Sequence, residues 1–253
     1  MPRNPPAQVI GLIPAAGLAQ RLGRLPCSKE ILPVGFTNDA AGPRPRVACE
    51  CLLEHYAAAG IRRAFVLLRP GKWDIPAYLG GGARFAVDLA YLVAENSASV
   101  SETLDRAYPF VRDAQVALGF PDILFDAKDA YARLLADLTD SACDVVLGLF
   151  PAGVPSTMDM VEMDGNRVTR VLVKPAVSAL AETWGIAVWA PAFTEFLHAF
   201  LAAPRDADAP ELHMGYVIQA AIENRLRVRA VRASDMPFLD IGLPGNLARL
   251  TQR

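Results

Sequence analysis

Residues 12–35 read LIPAAGLAQRLGRLPCSKEILPVG. The run from Val9 to Pro14 is short, apolar and uninterrupted, which predicts a buried strand. A loop of small residues follows at once: Ala15, Ala16, Gly17, Leu18. Such a loop, leaving the carboxyl end of a first parallel strand, is where an open α/β sheet binds ligands, because its backbone N–H groups can face an anion. The stretch then carries Arg21 and Lys29, which can place two fixed cations over a polyphosphate; two ordinary surface cations are the alternative. After Gly17 the next glycine is Gly23, so the dinucleotide fingerprint GxGxxG is absent, and so is the P-loop GxxxxGK followed by Ser or Thr.

Outward from this stretch, strand and helix patterns alternate. A helical pattern over Arg46 to Ala59 closes at Gly60 and is followed by strand-like residues Ala64 to Leu68. Further strands are expected at Asp88 to Val93, Gln115 to Phe120 and Asp144 to Phe150, with helices from about Ser101 and over Ala127 to Leu138. This rhythm predicts an α/β fold, a Rossmann-like, mainly parallel sheet flanked by helices. After Pro155 the runs MDMVEMD and NRVTRVLVKP surround an Asp164-Gly165 step, a hairpin signal that implies a β-rich insertion. A strand at WGIAVWAP, a helix over Ala192 to Ala202, a polar loop from Arg205 to Pro210, a helix near Leu212 to Glu223 and a strand at Arg227 to Val231 complete the pattern. No repeat or low-complexity linker divides the chain, so one continuous domain is expected over residues 1–253.

With 53% hydrophobic and 21% charged residues, 253 residues are ample for a large buried core. A formal net charge of -2 offers no basic excess for a nucleic acid or an anionic membrane. The opening MPRNPPAQ lacks a signal-peptide core and the apolar runs stop short of a membrane span, so a cytoplasmic location is expected. Cys27, Cys49, Cys51 and Cys143 have no CxxC or zinc-finger spacing and read as reduced structural thiols. His55, His198 and His213 are scattered and give little support for a triad or metal centre.

The whole string LIPAAGLAQRLGRLPCSKEILPVG resembles the signature of sugar-1-phosphate nucleotidyltransferases, roughly L-I/V-P-A-A-G-x-G-T-R-L followed by P/S-K-x-L-L-P. Gly119-Phe120-Pro121-Asp122 falls where that family has a metal-binding Asp, and FLDIGLP at residues 238–244 resembles its W-x-D-I/T-G-T-P element with a second Asp. Between them, VTRVLVKP and WGIAVWAP resemble the family's V-x-x-I/V-x-E-K-P and G-I/V-Y-x-F/W-x-P. Within that family the chain resembles glucose-1-phosphate thymidylyltransferases and UTP-glucose-1-phosphate uridylyltransferases, which implies a nucleotide-diphospho-sugar, GT-A-like fold. It implies a nucleotide-binding half over about residues 9–150 and a sugar-phosphate half, containing the β-rich insertion, over about 151–253.

The resemblance implies transfer of a nucleotide from a triphosphate, dTTP or UTP, to a sugar 1-phosphate, with pyrophosphate leaving in line. Little covalent chemistry is asked of a protein in such a reaction; it positions the reactants and offsets charge. By resemblance, the backbone of Ala15 to Leu18 holds the nucleotide, Arg21 neutralises pyrophosphate and Lys29 contacts the α-phosphate. Asp122 and Asp240 would coordinate Mg²⁺, a hard cation that takes oxygen ligands. A turn residue at Asp122 and a helix cap at Asp240 are the bland alternatives. Lys174 would meet the sugar phosphate, with Glu162 and Asp159 candidates for sugar contact; a solvated strand-end Lys174 and an exposed Asp159 are the alternatives. The partners implied are a triphosphate and a sugar 1-phosphate, and a homo-oligomer is compatible with the sequence.

Departures from the family pattern surround these ligands. Ala19 and Gln20 replace Gly and Thr, so a positive φ at position 19 would cost energy. Ala94 stands where a base-reading Gln is expected, and Ser99 where a Gly is; Ser99 and Glu102 also form a capping box, and Ser99 is retained as a nucleotide-binding candidate. Val173 replaces the Glu before Lys174, while Asp159 adds a carboxylate where Gly is frequent. Two other functions therefore stay open: a catalytically silent binding homologue, and cytidylyl transfer to a different phosphate.

Overall fold

The computed structural model describes residues 8–39, 42–204 and 211–251. The expected loop from Arg205 to Pro210 lies outside them, as do residues 1–7. The first half of the chain forms β1 (Val9–Pro14), β2 (Pro33–Asp39), β3 (Gly42–Val47), α1 (Ala48–Ala58), β4 (Arg63–Leu68), α2 (Asp74–Leu79) and β5 (Asp88–Val93). There follow α3 (Val100–Asp105), α4 (Tyr108–Val111), β6 (Gln115–Gly119), β7 (Ile123–Leu124), α5 (Ala130–Asp140) and β8 (Val145–Pro151). The remainder forms β9 (Met160–Asp164), β10 (Arg167–Leu172), β11 (Glu182–Trp189), α6 (Pro191–Ala202), α7 (Met214–Glu223), β12 (Val228–Arg232), β13 (Leu239–Asp240) and α8 (Pro244–Thr251).

Nine strands make one mixed sheet in the order β5-β4-β1-β6-β11-β8-β12-β10-β9. The first four are parallel to one another. Beyond β6 the expectation of a mainly parallel sheet gives way to a mixed one. β11 runs antiparallel to both β6 and β8, and β10 runs antiparallel to β12 and β9. β9 also pairs back onto β11 through Met160 and Thr183, closing β11, β8, β12, β10 and β9 into a five-strand barrel. The physical reason is connectivity: β11 enters after a hairpin, with no crossover helix to return the chain to a parallel direction. The β9–β10 hairpin is thus part of the main sheet, where the sequence suggested an insertion.

Alternate residues of the strands feed two apolar clusters, Ile10, Leu12, Val116 and Leu118 into one, Ile13, Ala117 and Val146 into the other. Both faces are covered, which is why these strands read as uninterrupted apolar runs. Tyr56 of α1 is fully buried, and its hydroxyl lies 2.7 Å from the Ala117 carbonyl and 3.2 Å from that of Leu12, spanning β6 and β1. It fits because Gly11 has no side chain; a Cβ there would come within 2.5 Å of its ring. Among the described residues no helix is long and apolar enough to cross a membrane.

The antiparallel ribbon β2–β3 has no counterpart in the sequence reading. Pro43 and Pro45 lie within it, and proline, lacking an N–H, argues against a central strand. A two-stranded ribbon outside the main sheet tolerates them. The topology also fixes where a ligand can sit: β4 and β5 lie on one side of β1 and β6 on the other, so a crevice opens at the carboxyl ends of β1 and β6.

Candidate active site

At the end of β1 the Ala15 N–H donates to the Leu67 carbonyl at 2.8 Å, and the chain then leaves the sheet. The N–H groups of Ala16 and Gly17 have no acceptor among the described residues, and both residues line a cavity of about 260 Å³. A single 3-10 turn over Gln20–Leu22 aims Arg21 into that cavity. The turn starts from Ala19 at φ 53° and ψ 29°, so the loop does require the left-handed conformation at position 19. Two hydrogen bonds from Ser28, N–H to Asp74 Oδ2 (2.7 Å) and hydroxyl to Asp74 Oδ1 (2.8 Å), tie the far end of the loop to α2. A second 3-10 turn over Lys29–Ile31 then presents Lys29.

Left-handed geometry costs a residue with a Cβ about 1–2 kcal/mol, and glycine's greater freedom in the unfolded chain offsets about 0.4–1 kcal/mol of that gain. Ala19→Gly is therefore expected to stabilise the protein by about 0.5–1 kcal/mol, seen as a higher urea midpoint at unchanged m-value. A midpoint that stays or falls would show that the turn is not strained at Ala19.

Two short strands bring the acids together. β7 and β13 pair through Ile123 with Asp240 and Leu124 with Leu239, and the Ile241 N–H donates to the Asp122 carbonyl at 3.0 Å. Lys29 Nζ donates to Asp122 Oδ2. Gly242 records how closely the three groups converge: a Cβ built on it would lie 2.9 Å from Asp240 Oδ1, 3.2 Å from Asp122 Oδ2 and 3.6 Å from Lys29 Nζ. Burial, and then the neighbouring Asp122 carboxylate, push the Asp240 carboxyl above its ordinary range. Burial pulls the Lys29 ammonium down, but Asp122 outweighs it and the net shift is upward. A pair of adjacent carboxylates that repel each other, offering only oxygen donors, suits a hard divalent cation.

The opposite wall comes from the closed part of the sheet. The β9–β11 pairing sets Asp159, Thr183 and Trp184 side by side, with the Thr183 hydroxyl donating to the Asp159 carbonyl at 2.9 Å. Lys174, just past β10 at φ 43°, holds its Nζ 3.3 Å from Nε2 of His213, the residue before α7. Gly215 in the first turn of α7 makes room for the acid, since a Cβ there would come within 2.4 Å of Asp159 Oδ2. Asp159 Oδ1 and Trp184 Nε1 are both buried without a hydrogen-bond partner among the described residues.

No protein-family model matches the sequence, and no curated protein matches it. Solved structures do. A protein assigned as a glucose-1-phosphate thymidylyltransferase from Bacillus anthracis, in complex with a sucrose, is similar at a TM-score of 0.81 and 16% identity, over 96% of this chain and 94% of that one. A UTP-bound UGPase from Acinetobacter baumannii gives 0.72 and 15%, over 96% and 92% of the two chains. A UDP-glucose pyrophosphorylase complexed with UDP-glucose gives 0.74 and 15%, over 96% and 97%. The chain has the fold of sugar-phosphate nucleotidyltransferases.

On this nucleotidyltransferase fold, the cavity brings together Ala16, Gly17, Arg21, Lys29, Asp122, Asp159, Lys174 and Asp240 from the sequence-derived set. Four others lie elsewhere. Ala15 is buried with its N–H already bonded, and Leu18 faces a neighbouring hollow on the other side of the loop. Ser99 is buried as the N-cap of α3, its hydroxyl accepting from the Glu102 N–H at 3.2 Å, and Glu162 is exposed on β9 opposite Arg170. Ala94 is buried and does not line the cavity.

The sequence reading did not single out His213, Thr183 or Trp184 as cavity residues, nor Lys72, which lines the second hollow together with Lys29. Lys72 Nζ donates to the buried Glu30 Oε1 at 2.7 Å. Lys72 was findable, because it follows the carboxyl end of β4 on the same edge as the loop. His213 and Trp184 carry no such signal. All four cysteines are free.

Burial raises the Asp159 carboxyl, and the opposing pull of Lys174 and His213 does not cancel it. The folded state therefore holds that proton more tightly than the unfolded chain, and the associated stability is lost as pH rises through the folded value. Asp159→Asn is expected to melt at a higher temperature than the parent at pH 7, with the gain narrowing as pH falls toward about 4, the ordinary range of the group. Thermal unfolding across pH 4–8 checks this; a gain independent of pH would remove the carboxylate from the explanation.

Proposed function

We propose that this protein is a nucleotidyltransferase joining a nucleoside triphosphate, dTTP or UTP, to a sugar 1-phosphate. The observation that carries this reading is the convergence of Lys29, Asp122 and Asp240 beside Arg21 at the mouth of a loop with free N–H groups. A phosphate oxygen of the sugar 1-phosphate attacks the α-phosphorus, the bond from that phosphorus to the α,β-bridging oxygen breaks, and pyrophosphate leaves with the electron pair. In this reading Lys29 offsets charge at the α-phosphate and Arg21 charge on the departing pyrophosphate. Asp122 and Asp240 would hold Mg²⁺, which when bound supplies further neutralisation of phosphate oxygens.

Lys174, with His213 beside it, is assigned to the sugar phosphate. The Trp184 N–H lies close enough to Asp159 to oppose the rise of its carboxyl without closing a full hydrogen bond, and a hydroxyl set between them would accept from the indole and donate to the carboxylate. That supports a hydroxylated acceptor such as a sugar, with Asp159 doing what the Glu before Lys174 does in the family pattern. A cytoplasmic enzyme follows as part of the same reading, with the parallel, Rossmann-like half (about 9–150) holding the nucleotide and the remainder (about 151–253) the sugar phosphate.

The test is a matrix of nucleoside triphosphates against sugar 1-phosphates, read by pyrophosphate release with and without Mg²⁺. Release that requires both substrates and the metal is the expected result. Metal-independent nucleotide binding with no turnover across the matrix would instead favour a silent binding homologue.

A further inference from the structure

At the amino-terminal edge of the sheet, opposite the candidate site, β8 and β12 start side by side and a second cavity of about 350 Å³ opens next to the β9–β10 hairpin. It shares no lining residue with the first. Four arginines line it: Arg167, Arg225, Arg227 and Arg229. Asp137 holds Arg229 through two bonds of 2.8 and 3.0 Å, and Asp144 lies 3.8 Å from Arg227. Arg167 and Arg225 are exposed and make no ion pair among the described residues, so both guanidinium groups are free to meet a ligand.

Arg167 and Arg229 are direct cross-strand partners, and Asp137 neutralises Arg229 but not Arg167. Arg225 sits at φ 65° as the residue that closes α7, its N–H donating to the Ile222 carbonyl and that of Leu226 to the Ala221 carbonyl. Guanidinium groups match phosphate oxygens in pairs. Below the arginines the lining turns apolar, with Val168 and Val228 buried and Leu226 half-buried. The volume falls in the range of small-molecule sites.

We propose that this cavity binds a phosphorylated small molecule with an aromatic or apolar body, its phosphate on Arg167 and Arg225 and its body on Val168 and Leu226. The proposal stands independently of the reaction assigned to the other cavity. The full chain, labelled at methyl groups, is titrated with adenosine 5′-monophosphate, adenosine and inorganic phosphate. Saturable shifts of the Val168 and Leu226 methyls are expected with the monophosphate, at an affinity at least tenfold tighter than with adenosine or phosphate alone.

The double variant Arg167→Gln, Arg225→Gln is expected to weaken that binding at least tenfold. It should keep its melting temperature, since neither side chain makes an internal ion pair, and any response of the Met214 methyl in the first cavity should be unchanged. Absence of saturable shifts, or binding unaffected by the double variant, overturns the proposal. Equal affinity for inorganic phosphate overturns the placement of a ligand body on the apolar floor.

Discussion

Lys29→Met is expected to lower kcat for pyrophosphate release by about 10²–10³-fold, the usual cost of removing one charge-stabilising donor from a phosphoryl or acyl transfer site. Met keeps the length and apolar contacts of the side chain and removes only the cation. That cation touches Asp122 and lies, with Asp240, around Gly242, between the carboxylates and the rest of the cavity. Some stability is lost as well, because Asp122 is left as a largely buried carboxylate without its ion partner. Circular dichroism and a thermal midpoint separate the two effects: the account expects a folded protein with a collapsed rate. A rate within threefold of the parent would remove Lys29 from the chemistry. Lys29→Arg is not expected to restore activity, since a planar fork cannot replace a point charge packed against Gly242.

Asp122→Asn and Asp240→Asn form the second case. Each alone is expected to reduce kcat by about 10²-fold or more through loss of a carboxylate that offsets phosphate charge by way of a bound cation. The two act as a unit, held in one small ladder by β7 and β13, so the double variant should be little slower than the slower single variant. Activity titrated against Mg²⁺ concentration gives the more specific readout: each single variant should need more metal for half-maximal rate. Fully additive losses with unchanged metal dependence would place the two aspartates in separate roles.

Much of this was legible from the chain itself. The buried run Val9–Pro14 and its small-residue loop located β1 and the ligand edge together, because an uninterrupted apolar strand followed by glycine leaves few alternatives. The strands at Asp88–Val93 and Gln115–Gly119 and the helix ending before Gly60 follow from the same periodicities. Strand direction was not legible, since β11 has the same apolar run whether its neighbours are parallel or antiparallel. Within the site, Arg21 and Lys29 could be read from their place after the loop, while Asp122, Asp240 and Lys174 were candidates through the family pattern. Asp159 was likewise a candidate through that pattern, and His213 and Trp184 join it by closure of β9 onto β11 and by the start of α7, contacts between segments far apart in sequence. Ser99 shows the converse: the capping box read in the sequence forms, and the residue does not line the first cavity.

The most direct test of the central claim follows the α-phosphorus. With α-³²P-labelled dTTP or UTP and an accepted sugar 1-phosphate, the account predicts that the label appears in a sugar-linked diphosphate resistant to phosphatase, while the released pyrophosphate carries none. Label recovered as nucleoside monophosphate, formed at the same rate with or without the sugar phosphate, would contradict it and mark the cavity as a hydrolytic site.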